Sequence, residues 1–228
     1  MTDYVISVPV QPSLAVLGTD ARFPVRRIYC IGRNYAEHAI EMGHDPDKEP
    51  PFFFQKNGDN IDDSGEFPYP PQSNNVHFEV EMIVALQSGG SNISKKDALQ
   101  HVFGYGIGLD MTRRDLQGEM KKMGRPWEIG KAFERSAPMG PLLPAAQIGH
   151  IDQGTISLAV NGQICQEGDL NQMIWKVPEQ ISYLSEYYDI AAGDLIMSGT
   201  PAGVGPIQKA DVMTCCVKGL PTLIVEVV

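Results

Sequence analysis

The sequence predicts a β-rich α+β fold built as one domain. Three features point there. Short runs rich in β-branched and aromatic residues are punctuated by 23 Gly and 17 Pro. Few segments carry helical period. The Asn161-Gly162 pair sits between two such runs, a strong type I′ hairpin signal. With 228 residues, 43% of them hydrophobic and 20% charged, the chain can bury one substantial core, and disordered or collagen-like states are excluded.

In chain order, strands are expected at Val5–Val8, Ile28–Ile31, Phe52–Gln55, Phe78–Leu86, Phe103–Leu109, Thr155–Val160, Gln163–Gln166, Asp194–Ser198, Val212–Val217 and Thr222–Val228. Tyr35, His38, Ala39 and Met42 recur at helical spacing and predict a short amphipathic helix ending at Gly43. The polar, Pro-bearing stretch 44–51 after it reads as a loop. Ser94-Lys95-Lys96-Asp97 resembles a capping box opening a short helix to about His101, and Thr112-Arg113-Arg114-Asp115 does the same for a helix ending near Gly124. Pro178 can start a third helix, through Tyr187.

Charge narrows the partners. Lys and Arg number 18 against 28 Asp and Glu, a net −10, so the field repels polyphosphates and anionic membranes and argues against nucleic-acid or membrane binding. A small anionic substrate then needs a local reversal of sign from a few cationic side chains or a metal ion. Cys30, Cys165, Cys215 and Cys216 show no CxxC spacing, which argues against a zinc knuckle and suits a reducing compartment. The longest uncharged stretches are interrupted by Pro and Gly and too short to span a bilayer, and the first residues lack signal-peptide character. A cytoplasmic location is expected.

Within Phe78–Leu86, Phe78, Val80, Met82 and Val84 form one apolar face, while the other face begins with Glu79 and Glu81. Two carboxylates held side by side repel unless a cation or a shared proton intervenes. A solvated strand start would carry them equally well. Asp110, at the end of the Gly-rich strand 103–109, is a candidate third carboxylate, although a turn aspartate fits the same pattern. Three such groups from two strands would make an oxygen-only site for a hard divalent ion, better suited to Mg²⁺ or Mn²⁺ than to Zn²⁺. His77 shares the glutamate face and is a possible further ligand or supporting residue.

Arg114 and Gln117 lie three apart on the following helix, and Lys131 comes shortly after, a grouping able to capture a small dianion; surface solvation is the competing reading. His38 and Glu41, also three apart, could form a water-activating dyad, or simply cap a surface helix. The glycines at 104, 106 and 108 alternate within a strand, which rejects a nucleotide loop. Gly199-Thr200-Pro201 could offer backbone N–H groups and the Thr200 hydroxyl to an anion, or merely form a tight turn.

Five pieces in order, Gly32-Arg33-Asn34-Tyr35 with His38 and Glu41, His77-Phe78-Glu79-Val80-Glu81, Leu109-Asp110-Met111-Thr112, Lys131-Ala132-Phe133 and Ser198-Gly199-Thr200-Pro201, resemble the fumarylacetoacetate hydrolase family over about residues 25–228. The resemblance is strongest to its short acylpyruvate hydrolases, a group that includes fumarylpyruvate hydrolases and oxaloacetate decarboxylases. It implies a mixed β-roll or β-barrel of the family's C-terminal-domain type, with residues 1–24 as an N-terminal strand extension packed on a single catalytic domain 25–228. It also implies a homodimer and Mg²⁺ or Mn²⁺ held by Glu79, Glu81 and Asp110. Arg33, Arg114, Gln117, Lys131 and Thr200 would line the substrate pocket, and His38 and Glu41 would sit in a lid. One departure is Lys56-Asn57, where relatives commonly have Lys-Pro.

The implied activity is metal-dependent hydrolysis of an acylpyruvate, with fumarylpyruvate giving fumarate and pyruvate, His38, Glu41 and Lys131 acting catalytically. Oxaloacetate decarboxylation, or decarboxylation or isomerisation in homoprotocatechuate breakdown, would use the same pocket. A non-catalytic module stabilised by a metal ion is the alternative of another class.

Overall fold

The computed structural model describes residues 3–41 and 50–228, with the side chains of residues 38, 39 and 41 outside that description. Two mixed sheets dominate. The larger runs in the order Leu143–Pro144, Val102–Leu109, Val80–Leu86, Leu195–Met197, Arg27–Gly32, Phe52–Asn57, and only the pairing of Leu195–Met197 with Arg27–Gly32 is parallel. The smaller runs Gln163–Asp169, Thr155–Val160, Val212–Val217, Leu223–Val227, Glu66–Phe67. Helices are few, the longest being Val177–Tyr187, started by Pro178 as expected.

Val80–Leu86 is buried at every position because it lies central in the larger sheet with both faces covered. Met82 and Val84 join the main core with Ile156, Leu158, Met213 and Val225 of the smaller sheet. Ile83 and Ala85 face a second cluster containing Leu14, Ile28 and Met139. The apolar second half of the "glutamate face" is thereby explained: it packs on the N-terminal hairpin Ser13–Ala15/Arg22–Pro24. The Asn161-Gly162 turn has φ of 51° and 81°, as a type I′ hairpin requires.

The class is the expected one, β-rich with few helices, but among the described residues no sheet closes on itself, so the arrangement is open rather than a barrel. Three local expectations differ. Val5–Val8 forms no strand and stays exposed, because its apolar residues meet no partner strand. Ser94-Asp97 precedes only a single 3₁₀ turn, Ala98–His101. Thr112 does not cap the following helix Arg114–Lys122; it sits in a two-residue strand paired to Val76 and His77, which turns its hydroxyl inward. No helix is long and apolar enough to cross a membrane.

Candidate metal centre

The strand expected at Phe78–Leu86 is broken at Glu79. Val76–Phe78 peels away to pair with Thr112–Arg113 and Gly205–Pro206, while Val80–Leu86 continues in the larger sheet. Glu79 is left between two ladders, beside Asp110, whose N–H donates to the Glu79 carbonyl at 2.9 Å. The pairing of Val80 with Leu109 sets this juxtaposition. Glu79, Glu81 and Asp110 each present a carboxylate oxygen within 4.8 Å of the others, and all three are buried, at 5%, 2% and 1% exposure. Burial removes the reading of a solvated strand start and of a surface turn aspartate. His77 does not join them; its Nε2 pairs with Asn75 Oδ1 at 2.8 Å.

Three cations surround the triad. Lys131 Nζ donates to Glu79 Oε2 (2.9 Å), Asp110 Oδ2 (2.7 Å) and Thr112 Oγ1 (2.6 Å), which uses all three of its protons. Arg114 bridges Glu79 and Gln117 Oε1, the latter at 2.7 Å. Lys56, fully buried, donates to the carbonyls of Met111 and Lys131 and lies 2.9 Å from Asp110 Oδ1. The local reversal of sign demanded by a net −10 chain is therefore present.

Burial drives the Glu81 carboxyl well above its usual range, and the negative charges of Asp110 and Glu79 push the same way; the Gly199 N–H, donating at 2.6 Å, only partly opposes them. For Lys131, burial alone would lower the pKa, but Asp110 and Glu79 outweigh it and the net shift is upward. The donor set fits a hard divalent ion on two further counts: it is all oxygen, and its three carboxylates converge although buried, with Asp110 Oδ1 engaged, among the described residues, only by the Lys56 ammonium at 2.9 Å.

A cleft opens onto the triad. Thr200, Gln117, Arg114, Arg33 and Lys121 line it, and Phe52 and Phe54, both in ring contact with Trp127, form an aromatic wall. Arg33 adopts the left-handed region (φ 56°), uncommon for a side-chain-bearing residue, and stacks over the Phe52 ring at 4.9 Å. The Gly199 N–H, expected to face a bound anion, instead donates to the Glu81 carboxyl. Asn34, buried, ties this loop down: it donates to Ser198 O at 2.7 Å and to Trp175 O at 2.9 Å, and accepts from Trp175 N at 2.7 Å.

Of the predicted site residues, Glu79, Glu81, Asp110, Lys131, Arg114, Gln117, Arg33 and Thr200 all line this one cleft. His38 and Glu41 lie on the helix Ala36–Glu41, and their side chains fall outside the described residues, as do the residues at which that helix was expected to end. Lys56, Lys121, Trp127 and Asn34 were not singled out as functional. Lys56 did leave a signal, since a lysine two and four positions after Phe54 and Phe52 shares their strand face.

Residues 27–228 match the Fumarylacetoacetate (FAA) hydrolase C-terminal family. A protein of Escherichia coli (strain K12) named oxaloacetate tautomerase YcgM is 38% identical over 198 residues, 86% of this chain and 90% of its own. The mitochondrial oxaloacetate decarboxylase of Dictyostelium discoideum is 37% identical, covering 86% of this chain and 91% of its own. The crystal structure of fumarylpyruvate hydrolase from Pseudomonas aeruginosa in complex with Mn²⁺ and pyruvate superposes with a TM-score of 0.98 at 49% identity over 99% of each chain.

Proposed function

The chain belongs to the fumarylacetoacetate hydrolase family of enzymes, and from that premise we propose that it hydrolyses fumarylpyruvate to fumarate and pyruvate. The observation that carries this reading is the buried triad Glu79, Glu81 and Asp110 opening on a cationic cleft, in a chain 49% identical to a fumarylpyruvate hydrolase that holds Mn²⁺ and pyruvate.

Glu79, Glu81 and Asp110 would hold Mn²⁺ or Mg²⁺. When bound, the ion supplies Lewis-acid polarisation of a keto oxygen. Arg114 and Thr200 bind the 2-oxo acid end, and the aromatic wall excludes water from it. His38 is assigned the base that takes a proton from water as its oxygen adds to the distal acyl carbon, with Glu41, three residues on, assigned as its partner. The bond between that carbon and the pyruvyl methylene breaks, its electron pair stays with the pyruvate fragment as an enolate, and the positive charge of Lys131, whose protons Glu79, Asp110 and Thr112 hold, stabilises it through space. A proton returned to carbon yields pyruvate. Arg33 and Lys121, on the cleft lining, would meet the distal carboxylate.

A second reading rests on the relative named oxaloacetate decarboxylase: the same enolate forms when oxaloacetate loses carbon dioxide, with the same pocket and no attacking water. The deciding experiment follows enol absorbance of fumarylpyruvate, other acylpyruvates and oxaloacetate with Mn²⁺ and with chelator. The proposal expects fumarylpyruvate to be turned over most efficiently and only with metal. Preference for oxaloacetate accompanied by carbon dioxide release selects the second reading, and no turnover of any 2-oxo acid leaves only a metal-binding scaffold. The reading includes a homodimer, to which the exposed Tyr4, Val5, Ile6, Val8 and Val10 would contribute apolar surface; a monomer in sedimentation would contradict that part.

A further inference from the structure

Gln166 is fully buried, although Ile164, two residues before it on the same strand, is 61% exposed. In a regular strand the two would share a face. The ladder between Thr155–Val160 and Gln163–Asp169 slips here: Ala159 pairs with Ile164, Leu158 pairs with Gln166, and Cys165 is the extra residue of a bulge. The bulge turns Gln166 inward, toward the metal-centre strand and the Thr200 loop, a use to which bulges near sites are commonly put.

Its amide is then fixed at both ends by groups of one polarity. The Val80 N–H, between Glu79 and Glu81, donates to Gln166 Oε1 at 3.0 Å, and Gln166 Nε2 donates to the Pro201 carbonyl at 2.8 Å. A backbone N–H can only donate and a carbonyl only accept, so the amide cannot be flipped. The remaining Nε2 proton goes to Thr200 Oγ1 at 2.8 Å. That contact occupies the hydroxyl as an acceptor and leaves its own proton for the cleft, which Thr200 lines. The loop packs closely on the bulged strand: a Cβ at Gly203 would lie 2.1 Å from the Cys165 carbonyl and one at Gly168 would lie 2.9 Å from Pro201 Cβ.

We propose that Gln166 is a positioning residue that commits the Thr200 hydroxyl to donate to an oxygen of the bound 2-oxo acid, while holding the backbone between Glu79 and Glu81. This rests on the proposed function, because it needs a 2-oxo acid in the cleft. Gln166→Glu puts an acceptor where the amide nitrogen stood; the hydroxyl proton then turns to the new carboxylate and away from the cleft.

The test is calorimetric titration of pyruvate into the Mn²⁺-loaded protein. Gln166→Glu and Thr200→Val are each expected to weaken pyruvate by about tenfold or more, the loss of one hydrogen bond to a charged group. Thr200→Ser, which keeps the hydroxyl, should bind as the parent does. The double variant should be no worse than Thr200→Val alone, with Mn²⁺ affinity within about twofold throughout. Losses that add, or Thr200→Val binding pyruvate unchanged, would reduce Gln166 to a packing residue and overturn the proposal. If Gln166→Glu does not fold, Gln166→Met takes its place: weaker pyruvate binding that Thr200→Val does not deepen supports the proposal, and pyruvate bound as in the parent overturns it. Failure of the unsubstituted, Mn²⁺-loaded protein to bind pyruvate would instead refute the parent reading, and this proposal with it.

Discussion

Lys131 and Asp110 meet through an ammonium–carboxylate contact of 2.7 Å with both side chains almost wholly buried. Neither charge would be tolerable alone at that depth, and the same ammonium also compensates Glu79. In the metal-free protein Lys131 therefore carries part of the neutralising work that a divalent ion would share.

Replacing Lys131 by Met should leave two buried carboxylates short of a counter-charge. The expected result is a metal-free protein destabilised by about 3–5 kcal/mol, as when one partner of a buried pair is removed, with much of the loss recovered on adding Mn²⁺. Thermal melting in chelator and in excess Mn²⁺ measures both. Turnover should fall at least a hundredfold, on the order of one lost charge-stabilising donor.

Metal affinity should weaken as pH falls. The Glu81 carboxyl is raised by burial and by its acidic neighbours, so below its shifted pKa it holds a proton that must leave before it can ligate. Mn²⁺ binding is expected to release protons, and the release should grow as the solution is acidified. Titrations in buffers of different ionisation enthalpy read it; identical heats in all buffers would mean that Glu81 is already ionised.

Lys56→Arg, conservative on paper, should be nearly as damaging as Lys56→Met. The ammonium sits in a fully buried slot where Asp110 and the carbonyls of Met111 and Lys131 converge on one nitrogen, an arrangement suited to a compact ammonium and not to a larger planar guanidinium fork. Both variants should lower melting temperature and turnover together. An active, stable Lys56→Arg protein would show the slot to be looser than described.

Gly199→Ala tests the link between the loop and the triad. Gly199 has φ of 100°, and a Cβ there would lie 2.6 Å from Asn34 Cβ, so alanine must move the N–H that donates to Glu81. Destabilisation of about 1–3 kcal/mol, with weaker Mn²⁺ binding, is expected from denaturation and metal titration.

His38→Ala should abolish hydrolysis while sparing much of any oxaloacetate decarboxylation, because only the former needs an attacking water. Steady-state assays on both substrates decide it. Equal loss of both activities in a folded protein would remove His38 from water activation.

Much of this site was legible in the sequence because it is written in short-range pattern. Glu79 and Glu81 stood out as two charges interrupting an alternating apolar strand, and Asp110 as an acid closing a Gly-rich one. What decided between a solvated face and a metal centre was burial, and burial depends on which sheet covers which face, information spread over residues as distant as Leu14 and Met213. Asn34 and Gln166 were not legible in the same way. Each is a lone amide whose role comes from contacts with segments far along the chain, and for Gln166 the inward direction is set by a bulge that strict alternation would not reveal. The Val5–Val8 strand failed for a related reason: an apolar run records what could pair, and the partner is not in the run.

The central claim is that Glu79, Glu81 and Asp110 grip one divalent ion between them. Its most direct test is titration of Mn²⁺ into chelator-stripped protein, read by paramagnetic resonance, alongside Glu79→Gln, Glu81→Gln and Asp110→Asn. One tight ion per chain is expected, lost or greatly weakened in each variant; an unchanged stoichiometry and affinity in any folded one of the three would rule out a shared ion.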